Sequence, residues 1–161
     1  YPASLDLNEV PVYIAKNKAQ AVHEKIILSY PQHMNKNIVA ADTIVVLEGN
    51  VLGKPANKAE AIASLTALSG KTHRVITGVV LLYQGKEYSF SETTLVTFNT
   101  LTLAQIEYYV ENYKPYDKAG GYAIQEWIGV VGIHSIEGDF YNVMGLPVSK
   151  LLQKIKQLEV N

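Results

Sequence analysis

Residues 37–55 read NIVAADTIVVLEGNVLGKP and decide the fold. Residues 38–47 are apolar and rich in β-branched side chains, and a single acid, Asp42, interrupts them. So continuous an apolar run is typical of a strand that is buried on both faces. The turn residues Glu48-Gly49-Asn50 follow and the chain returns through Val51-Leu52, which predicts a β-hairpin.

The acid inside this strand is the sharpest functional signal in the sequence. Removing an aspartate from water is costly unless a cation, a metal ion or a hydrogen-bond donor compensates its charge. Asp42 is therefore a candidate site residue. The alternative is an aspartate that caps a turn at the strand end or pairs with a structural lysine, and the residues alone leave the two interpretations balanced.

Composition limits the class of protein. The chain of 161 residues is 48% hydrophobic and 18% charged, which predicts one globular domain over residues 1–161. A formal net charge of -1 gives no overall field that attracts nucleic acid or an anionic membrane. No apolar stretch approaches the ~20 residues of a membrane span. The absence of cysteine excludes disulfides and thiolate sites and fits a cytoplasmic protein.

Elsewhere the sequence predicts helices interleaved with strands. Helices are expected from an N-cap at Asn8 to about Ser29, over residues 57–69, from an N-cap at Thr102 to Tyr113, and from Pro147 to about Leu158. Further strands are expected over residues 73–83, 87–98, 122–124 and 130–136. The first helix should bury the stripe Val12, Ala15, Ala19, Val22 and Ile26, and the last helix should pack Val148, Leu151, Leu152 and Ile155 inward. This arrangement favours an α/β fold with a mixed sheet.

Familiar nucleotide and metal motifs do not fit this chain. Gly70-Lys71-Thr72 lacks the earlier glycine that a P-loop requires, and the histidines lie too far apart to suggest a zinc site. A strand acid, lysines in separate segments and a glycine-rich loop remain. Lysines near a carboxylate suit a polyphosphate with its metal, because the lysines neutralise phosphate oxygens while the acid holds the ion or activates water.

The glycine-rich loop carries Asp117, Lys118 and Gln125. The amide of Gln125 can both donate to and accept from the edge of a nucleobase. The alternative is that Asp117 and Lys118 only pair with each other and fix the loop. Lys18, in the first predicted helix, has its own alternative, which is to belong to a solvated helix face.

Six short motifs occur together in this sequence: Ala41-Asp42-Thr43-Ile44-Val45, Gly53-Lys54-Pro55, Leu68-Ser69-Gly70-Lys71-Thr72-His73, Asp117-Lys118-Ala119-Gly120, Ile124-Gln125 and Asn142-Val143-Met144-Gly145-Leu146-Pro147. In this order and spacing they resemble the Maf family of nucleoside triphosphate pyrophosphatases. The resemblance implies a Maf/inosine-triphosphatase-like fold, which is an elongated α/β structure with a mixed β-sheet flanked by helices and two lobes around a central cleft.

The resemblance also implies a reaction. A hydrolase of this family cleaves a nucleoside triphosphate between its α and β phosphates, and it uses a divalent cation, Mg²⁺ or Mn²⁺. Asp42 matches the family's catalytic acid and is a candidate metal ligand. Lys18 and Lys54 match lysines that contact phosphate, and Lys118 is a further candidate for that role.

Two residues carry the expected choice of substrate. Thr43 and Gln125 match the positions that separate the dTTP/UTP-cleaving subgroup from the 7-methyl-GTP-cleaving one, and they point to dTTP and UTP. The loop reads DKAGGYAIQ where the family pattern is DKAGAYGIQ, so the path up to Gln125 is expected to differ. Ala123 does not readily take a positive φ, although Gly121 does.

The family pattern begins with a strand and an S-x-S-P-R-R turn that grips the triphosphate. Neither is present here, and Arg74 is the only arginine. We therefore expect the N-terminal strand and phosphate-binding turn to be missing from this chain. The resemblance further implies a cytoplasmic enzyme that forms a homodimer, with a nucleoside triphosphate as its partner and neither nucleic acid nor a membrane.

Two alternatives come from other classes of protein. One is a non-catalytic nucleotide-binding regulator of cell division or septum formation. The other is a structural or interaction domain, in which a buried Asp42 would have no purpose.

Overall fold

The computed structural model describes residues 1–160. Its helices are α1 (Val10–Ser29), α2 (Lys58–Leu68), α3 (Leu103–Tyr113), α4 (Trp127–Gly132), α5 (Phe140–Val143) and α6 (Val148–Val160). Its strands are β1 (Ile38–Leu47), β2 (Asn50–Leu52), β3 (Thr72–Tyr83), β4 (Lys86–Phe98) and β5 (Ile133–Glu137). The predicted α/β class is confirmed. None of these helices combines the length and hydropathy that a bilayer crossing requires.

The five strands form one sheet in the order β2-β1-β3-β4-β5. The predicted hairpin is confirmed, because β1 and β2 pair in antiparallel fashion with Val45 opposite Leu52. Its turn places Glu48 and Gly49 at φ values of 51° and 83°. Two successive residues with positive φ are typical of a tight hairpin turn. At the other edge, β4 and β5 are antiparallel with an irregularity next to Phe98.

The described chain divides into two compact units. The first unit comprises residues 1–43, 77–92 and 145–160, and the second comprises residues 44–76 and 93–144. Three strands, β1, β3 and β4, contribute residues to both units. Each unit buries its own apolar cluster.

In the first unit, α1 packs on the sheet through small residues. Ala15 and Ala19 are fully buried and cluster with Ile38. The contact is even closer at Gly78 of β3, where a Cβ would lie 2.2 Å from the backbone nitrogen of Val12. The backbone of the first turn of α1 therefore rests directly on β3, and only glycine fits at this point of the strand.

In the second unit, α2, α3 and α4 cover a larger core. Asn57 and Thr102 cap α2 and α3 as predicted, and Thr102 forms a complete capping box with Gln105. These caps satisfy N–H groups that would otherwise lack partners at the helix starts. The buried members of this core are Val45, Leu47, Ala61, Leu65, Leu68, Val75, Val96, Phe98, Leu101, Ile106, Tyr109, Val110, Tyr122, Ile124 and Ile128.

Some predictions for the two terminal helices are wrong. Glu9, rather than Asn8, precedes α1 as its N-cap residue and makes no side-chain cap. Asn8 instead donates both its backbone N–H and its side-chain amide to Asp6 Oδ1, each at 2.8 Å. Val22 in α1 is 45% exposed, and Leu152 in α6 is 59% exposed, so the buried stripe of each helix is narrower than predicted.

One further predicted strand is wrong, and another is only partly correct. Residues 122–124 form no strand, although all three are buried. The N–H of Ala123 donates to the hydroxyl of Tyr109 at 3.0 Å, so a side chain takes the place of a strand partner. The predicted strand over residues 130–136 is divided, since α4 continues to Gly132 and β5 begins only at Ile133. An apolar run of this length does not distinguish a buried strand from a short buried helix.

Candidate active site

Asp42 of β1 and Lys18 of α1 are brought together in the first unit. Lys18 Nζ donates to Asp42 Oδ1 at 2.5 Å and to the carbonyl of Ala41 at 3.3 Å. The Asp42 side chain is 19% exposed, whereas that of Lys18 is 51% exposed. The compensating cation that a half-buried carboxylate requires is therefore this lysine. Asp42 does not cap a turn, since it lies inside β1.

Small residues place Lys18 over the acid. The first turn of α1 rests on Gly78, and Ala15 and Ala19 bury the same helix against the sheet. Lys18 lies one turn along from Ala15 and projects from the border of this buried face. Its flexible stem then reaches Asp42 while much of it stays exposed.

Thr43 lies next to Asp42 and is held by a hydroxyl partner. Its Oγ1 is 2.8 Å from Oγ1 of Thr77, which is fully buried in β3. A Cβ on Gly145 would lie 3.7 Å from Thr43 Oγ1, so the backbone of Gly145 passes beside this threonine. Thr77 was not among the site residues predicted from the sequence. Its signal was a hydroxyl followed by a glycine within residues 75–82 of β3, which are otherwise apolar.

The second unit joins the Gly53-Lys54-Pro55 motif to the glycine-rich loop. The N–H of Gly120 donates to the carbonyl of Gly53 at 3.1 Å, and Ser64 of α2 donates to the carbonyl of Gly120 at 2.6 Å. Lys54 itself is exposed. The backbone that carries it is thus fixed while its amine is free to reach an anion.

Lys118 is half-buried and lies 3.4 Å from the exposed carboxylate of Asp117. This is the local pairing that the sequence analysis held as the alternative to phosphate binding. Exposed pairs of this kind contribute only about 0–1 kcal/mol to stability. The contact therefore does not prevent Lys118 from binding another anion.

Gln125 ends the loop and is exposed, while Tyr122, Ala123 and Ile124 before it are buried. Gly120 and Gly121 turn the chain with φ values of 68° and 76°. Ala123 does not take a positive φ. The loop therefore presents the exposed amide of Gln125 at the end of a buried backbone segment.

His73 of β3 is the buried partner of this loop. It is 2% exposed, and its Nε2 shares a hydrogen bond of 2.6 Å with the hydroxyl of Tyr122. Burial lowers the pKa of His73 from 6.5 to about 4. Burial also raises the pKa of Tyr109 and Tyr122 above the ordinary value, so both phenols stay protonated.

The depressed pKa of His73 predicts a loss of stability in acid. Above pH 6.5 the ring is neutral in both states, and stability is at its full value. As pH falls from 6.5 towards about 4, His73 becomes protonated in the unfolded chain but stays neutral in the folded chain. The free energy of unfolding therefore falls. We expect this residue alone to account for about 3 kcal/mol over that window.

Urea unfolding of the natural chain and of His73→Gln between pH 4 and 7 measures this contribution. The Nδ1 atom of His73 makes no hydrogen bond within residues 1–160, so no acceptor there would stabilise the charged ring. The variant should lose less stability as pH falls. Equal pH dependence for both proteins would contradict the assignment.

The acidic and histidine side chains limit where a metal ion could bind. Among residues 1–160, no group of three or more His, Asp and Glu side chains is placed to hold one. Asp42 offers a single carboxylate beside an exposed lysine. Mg²⁺ is commonly held by one or two carboxylates together with the phosphates of a substrate, rather than by a cage made only of protein. The donor set therefore fits a cation that binds with a polyphosphate.

Comparison with known proteins gives a consistent picture. Residues 3–158 match the family described as Maf-like protein. A protein named dTTP/UTP pyrophosphatase from Porphyromonas gingivalis (strain W83) is 47% identical over 156 residues, which are 97% of this chain and 76% of that protein. Proteins of the same name from Parabacteroides distasonis (50% identical, 97% of this chain and 78% of the relative) and Phocaeicola vulgatus (49%, 98% and 79%) are equally similar. Because the family match covers nearly the whole chain, the chain belongs to the Maf family.

Proposed function

We propose that this chain hydrolyses dTTP and UTP, and related modified pyrimidine nucleotides, to the nucleoside monophosphate and pyrophosphate. The observation that carries this proposal is the pair formed by Asp42 and Lys18 at 2.5 Å, in the strand that matches the family's catalytic acid. The names of the similar proteins support it, and they do not favour a regulator without turnover.

Asp42 is the proposed general base. The Asp42 carboxylate, which is 19% exposed inside a strand, still reaches solvent and can accept a proton from an attacking water. In the structure the Asp42 carboxylate is paired with Lys18, and the Lys18 side chain is exposed enough to move away. A triphosphate offers Lys18 several competing anionic oxygens, so substrate binding would draw the amine towards phosphate and release the carboxylate.

Charge on the phosphates is the main barrier to attack by water, and lysines lower it. Lys54 is exposed on a fixed backbone and is proposed to contact phosphate, and Lys118 is a second candidate. Asp42 would also be the protein ligand of Mg²⁺ or Mn²⁺. Such a cation, when bound, supplies charge neutralisation on the phosphate oxygens.

The proposed reaction is tested by measuring pyrophosphate release from dTTP, UTP, CTP, GTP and 7-methyl-GTP with Mg²⁺ or Mn²⁺. The assay is run on this chain and on a chain with an S-x-S-P-R-R turn placed before Tyr1. We expect dTTP and UTP to be preferred. Absence of turnover in both proteins, with folding confirmed by circular dichroism, would contradict the proposal.

The exposed amide of Gln125 is proposed to read the base, together with Thr43. We expect Gln125→Ala to lower the ratio of kcat/KM for dTTP to kcat/KM for CTP by about tenfold or more, because one or two hydrogen bonds to the base are lost. Gln153→Ala, which changes an exposed glutamine of α6, is the matched control. An equal loss on every nucleotide would contradict a base-reading role.

Two further proposals follow from the family resemblance. The enzyme would act in the cytoplasm, where its nucleotide substrates are found, and it would form a homodimer. Light scattering after size-exclusion chromatography tests the second, and a monomer at the concentrations of the assay would exclude it.

A further inference from the structure

The loop over residues 117–125, called here the Gln125 loop, is held from several directions. Its first half is fixed by the bonds of Gly120 to Gly53 and Ser64. Its second half, which leads directly to Gln125, has no strand or helix to stabilise it. The hydrogen bonds and contacts of this second half therefore fix the backbone that leads into Gln125.

Tyr122 is anchored by rings and by its hydroxyl. Its ring meets Phe98 and His73 edge to face, with centroids 5.0 and 5.5 Å away, and the last two rings also contact each other at 5.3 Å. The hydroxyl then bonds His73 at 2.6 Å. Edge-to-face packing restricts the ring, and the hydrogen bond fixes its depth in the core.

Tyr109 of α3 anchors the next residue. Its hydroxyl accepts the backbone N–H of Ala123 at 3.0 Å, and Tyr109 is itself fully buried. A buried N–H without a partner is costly, so this bond favours one conformation of the segment over others. The two tyrosine hydroxyls thus hold two consecutive residues of the loop.

The position after the anchors is confined by α4. A Cβ on Gly129 would lie only 1.7 Å from the carbonyl oxygen of Ile124, so the helix backbone presses against the residue before Gln125. The N–H of Glu126 also donates to the carbonyl of Ala123 at 3.1 Å. Gln125 therefore lies in a short turn whose start is set by Tyr109 and Tyr122 and whose end is set by α4.

We propose that Tyr109 and Tyr122 are positioning residues for nucleobase selection, which act through the backbone of residues 122–124 on the amide of Gln125. This inference rests on the proposed function, and it explains how an exposed glutamine could distinguish one nucleobase from another. An amide on a mobile loop could satisfy the hydrogen-bonding edges of several bases by rotating. An amide on a fixed backbone discriminates, because the wrong base leaves a donor or acceptor unpaired.

The test compares Tyr109→Phe and Tyr122→Phe with Tyr113→Phe. Each variant removes one hydroxyl and keeps the ring. Tyr113 is the matched control, because it stacks on Tyr109 at 5.0 Å and is 39% exposed. We expect the ratio of kcat/KM between dTTP and CTP to fall about five- to tenfold in either of the first two variants, mainly through a higher KM for dTTP. The control should stay within about twofold.

A double-substitution cycle separates positioning from general support of the fold. If the tyrosines act through Gln125, adding Tyr109→Phe to Gln125→Ala should leave the dTTP to CTP ratio unchanged. A merely structural role predicts that each Tyr→Phe change lowers kcat for all nucleotides by the same factor, whether or not Gln125 is present. That result, or an unchanged ratio in both single variants, would overturn the inference.

If the proposed function itself is wrong, the unsubstituted chain releases no pyrophosphate from any nucleotide. The loop is then tested by calorimetric binding of dTTP and CTP to the natural chain and to the Tyr→Phe variants. A fall of the binding ratio by the same five- to tenfold factor supports positioning, and an unchanged ratio or no binding overturns it.

Discussion

Asp42→Asn is expected to lower pyrophosphate release from dTTP by about a thousandfold and to leave the protein folded. The amide keeps the shape of the carboxylate but accepts no proton at neutral pH and offers no charge to a metal ion. Folding should survive because the exposed amine of Lys18 can return to water when the pair is broken. Partly exposed ion pairs of this kind contribute about 1 kcal/mol or less.

The measurement is steady-state pyrophosphate release, accompanied by a thermal unfolding curve. Asp6→Asn is the matched control, since Asp6 is an exposed aspartate whose carboxylate accepts hydrogen bonds from Asn8. The control should retain full activity. A folded Asp42→Asn protein with activity within tenfold of the natural chain would remove Asp42 from the reaction.

Gly78→Ala is expected to lower the free energy of unfolding by about 3 kcal/mol. The added Cβ would lie 2.2 Å from the nitrogen of Val12 and 2.3 Å from the carbonyl carbon of Pro11. Both are backbone atoms, so no side chain can rotate out of the way. Helix α1 must lift from β3, which opens the cluster around Ala15 and Ala19.

Urea unfolding measures this change. Gly53→Ala is the control, because a Cβ at Gly53 meets nothing within 4 Å and its backbone lies outside the left-handed region, so its cost should stay within about 0.5 kcal/mol. Displacement of α1 should also move Lys18 away from Asp42. Equal stability of Gly78→Ala and the natural chain would show that the helix does not depend on this contact.

Features with local signals could be predicted from the sequence. The β1–β2 hairpin follows from a β-branched run and a glycine turn, and α2 and α3 follow from their cap residues Asn57 and Thr102. Each of these depends on residues that are close together in the chain. In natural sequences such local preferences agree with the global fold, which is why these patterns predict it.

Residues 122–136 could not be predicted in the same way. Their conformation depends on distant partners, since Tyr109 supplies an acceptor to Ala123 and His73 bonds Tyr122. An apolar run looks the same whether a strand or a tyrosine hydroxyl satisfies its N–H groups. Gly129 was a usable signal, because glycine inside a short apolar element often marks a close approach of backbone.

In the candidate site, too, features with local sequence signals could be predicted, and those that depend on distant contacts could not. The strand predicted that Asp42 needs a compensating cation, metal ion or hydrogen-bond donor, but the pairing with Lys18 was not predicted. The resemblance implied only that Lys18 contacts phosphate, and lysines on a helix are usually solvated. The pairing of Asp117 with Lys118 is local, and the sequence analysis already held it as an alternative. The anchors of Gln125 depend on the tertiary structure and became visible only there.

The most direct test is to identify the phosphorus products of dTTP hydrolysis by ³¹P NMR, with the natural chain and with Asp42→Asn. Cleavage between the α and β phosphates yields dTMP and pyrophosphate, and the variant should yield neither above background. Release of orthophosphate with dTDP, or equal formation of pyrophosphate by the Asp42→Asn protein, would contradict the account of this site.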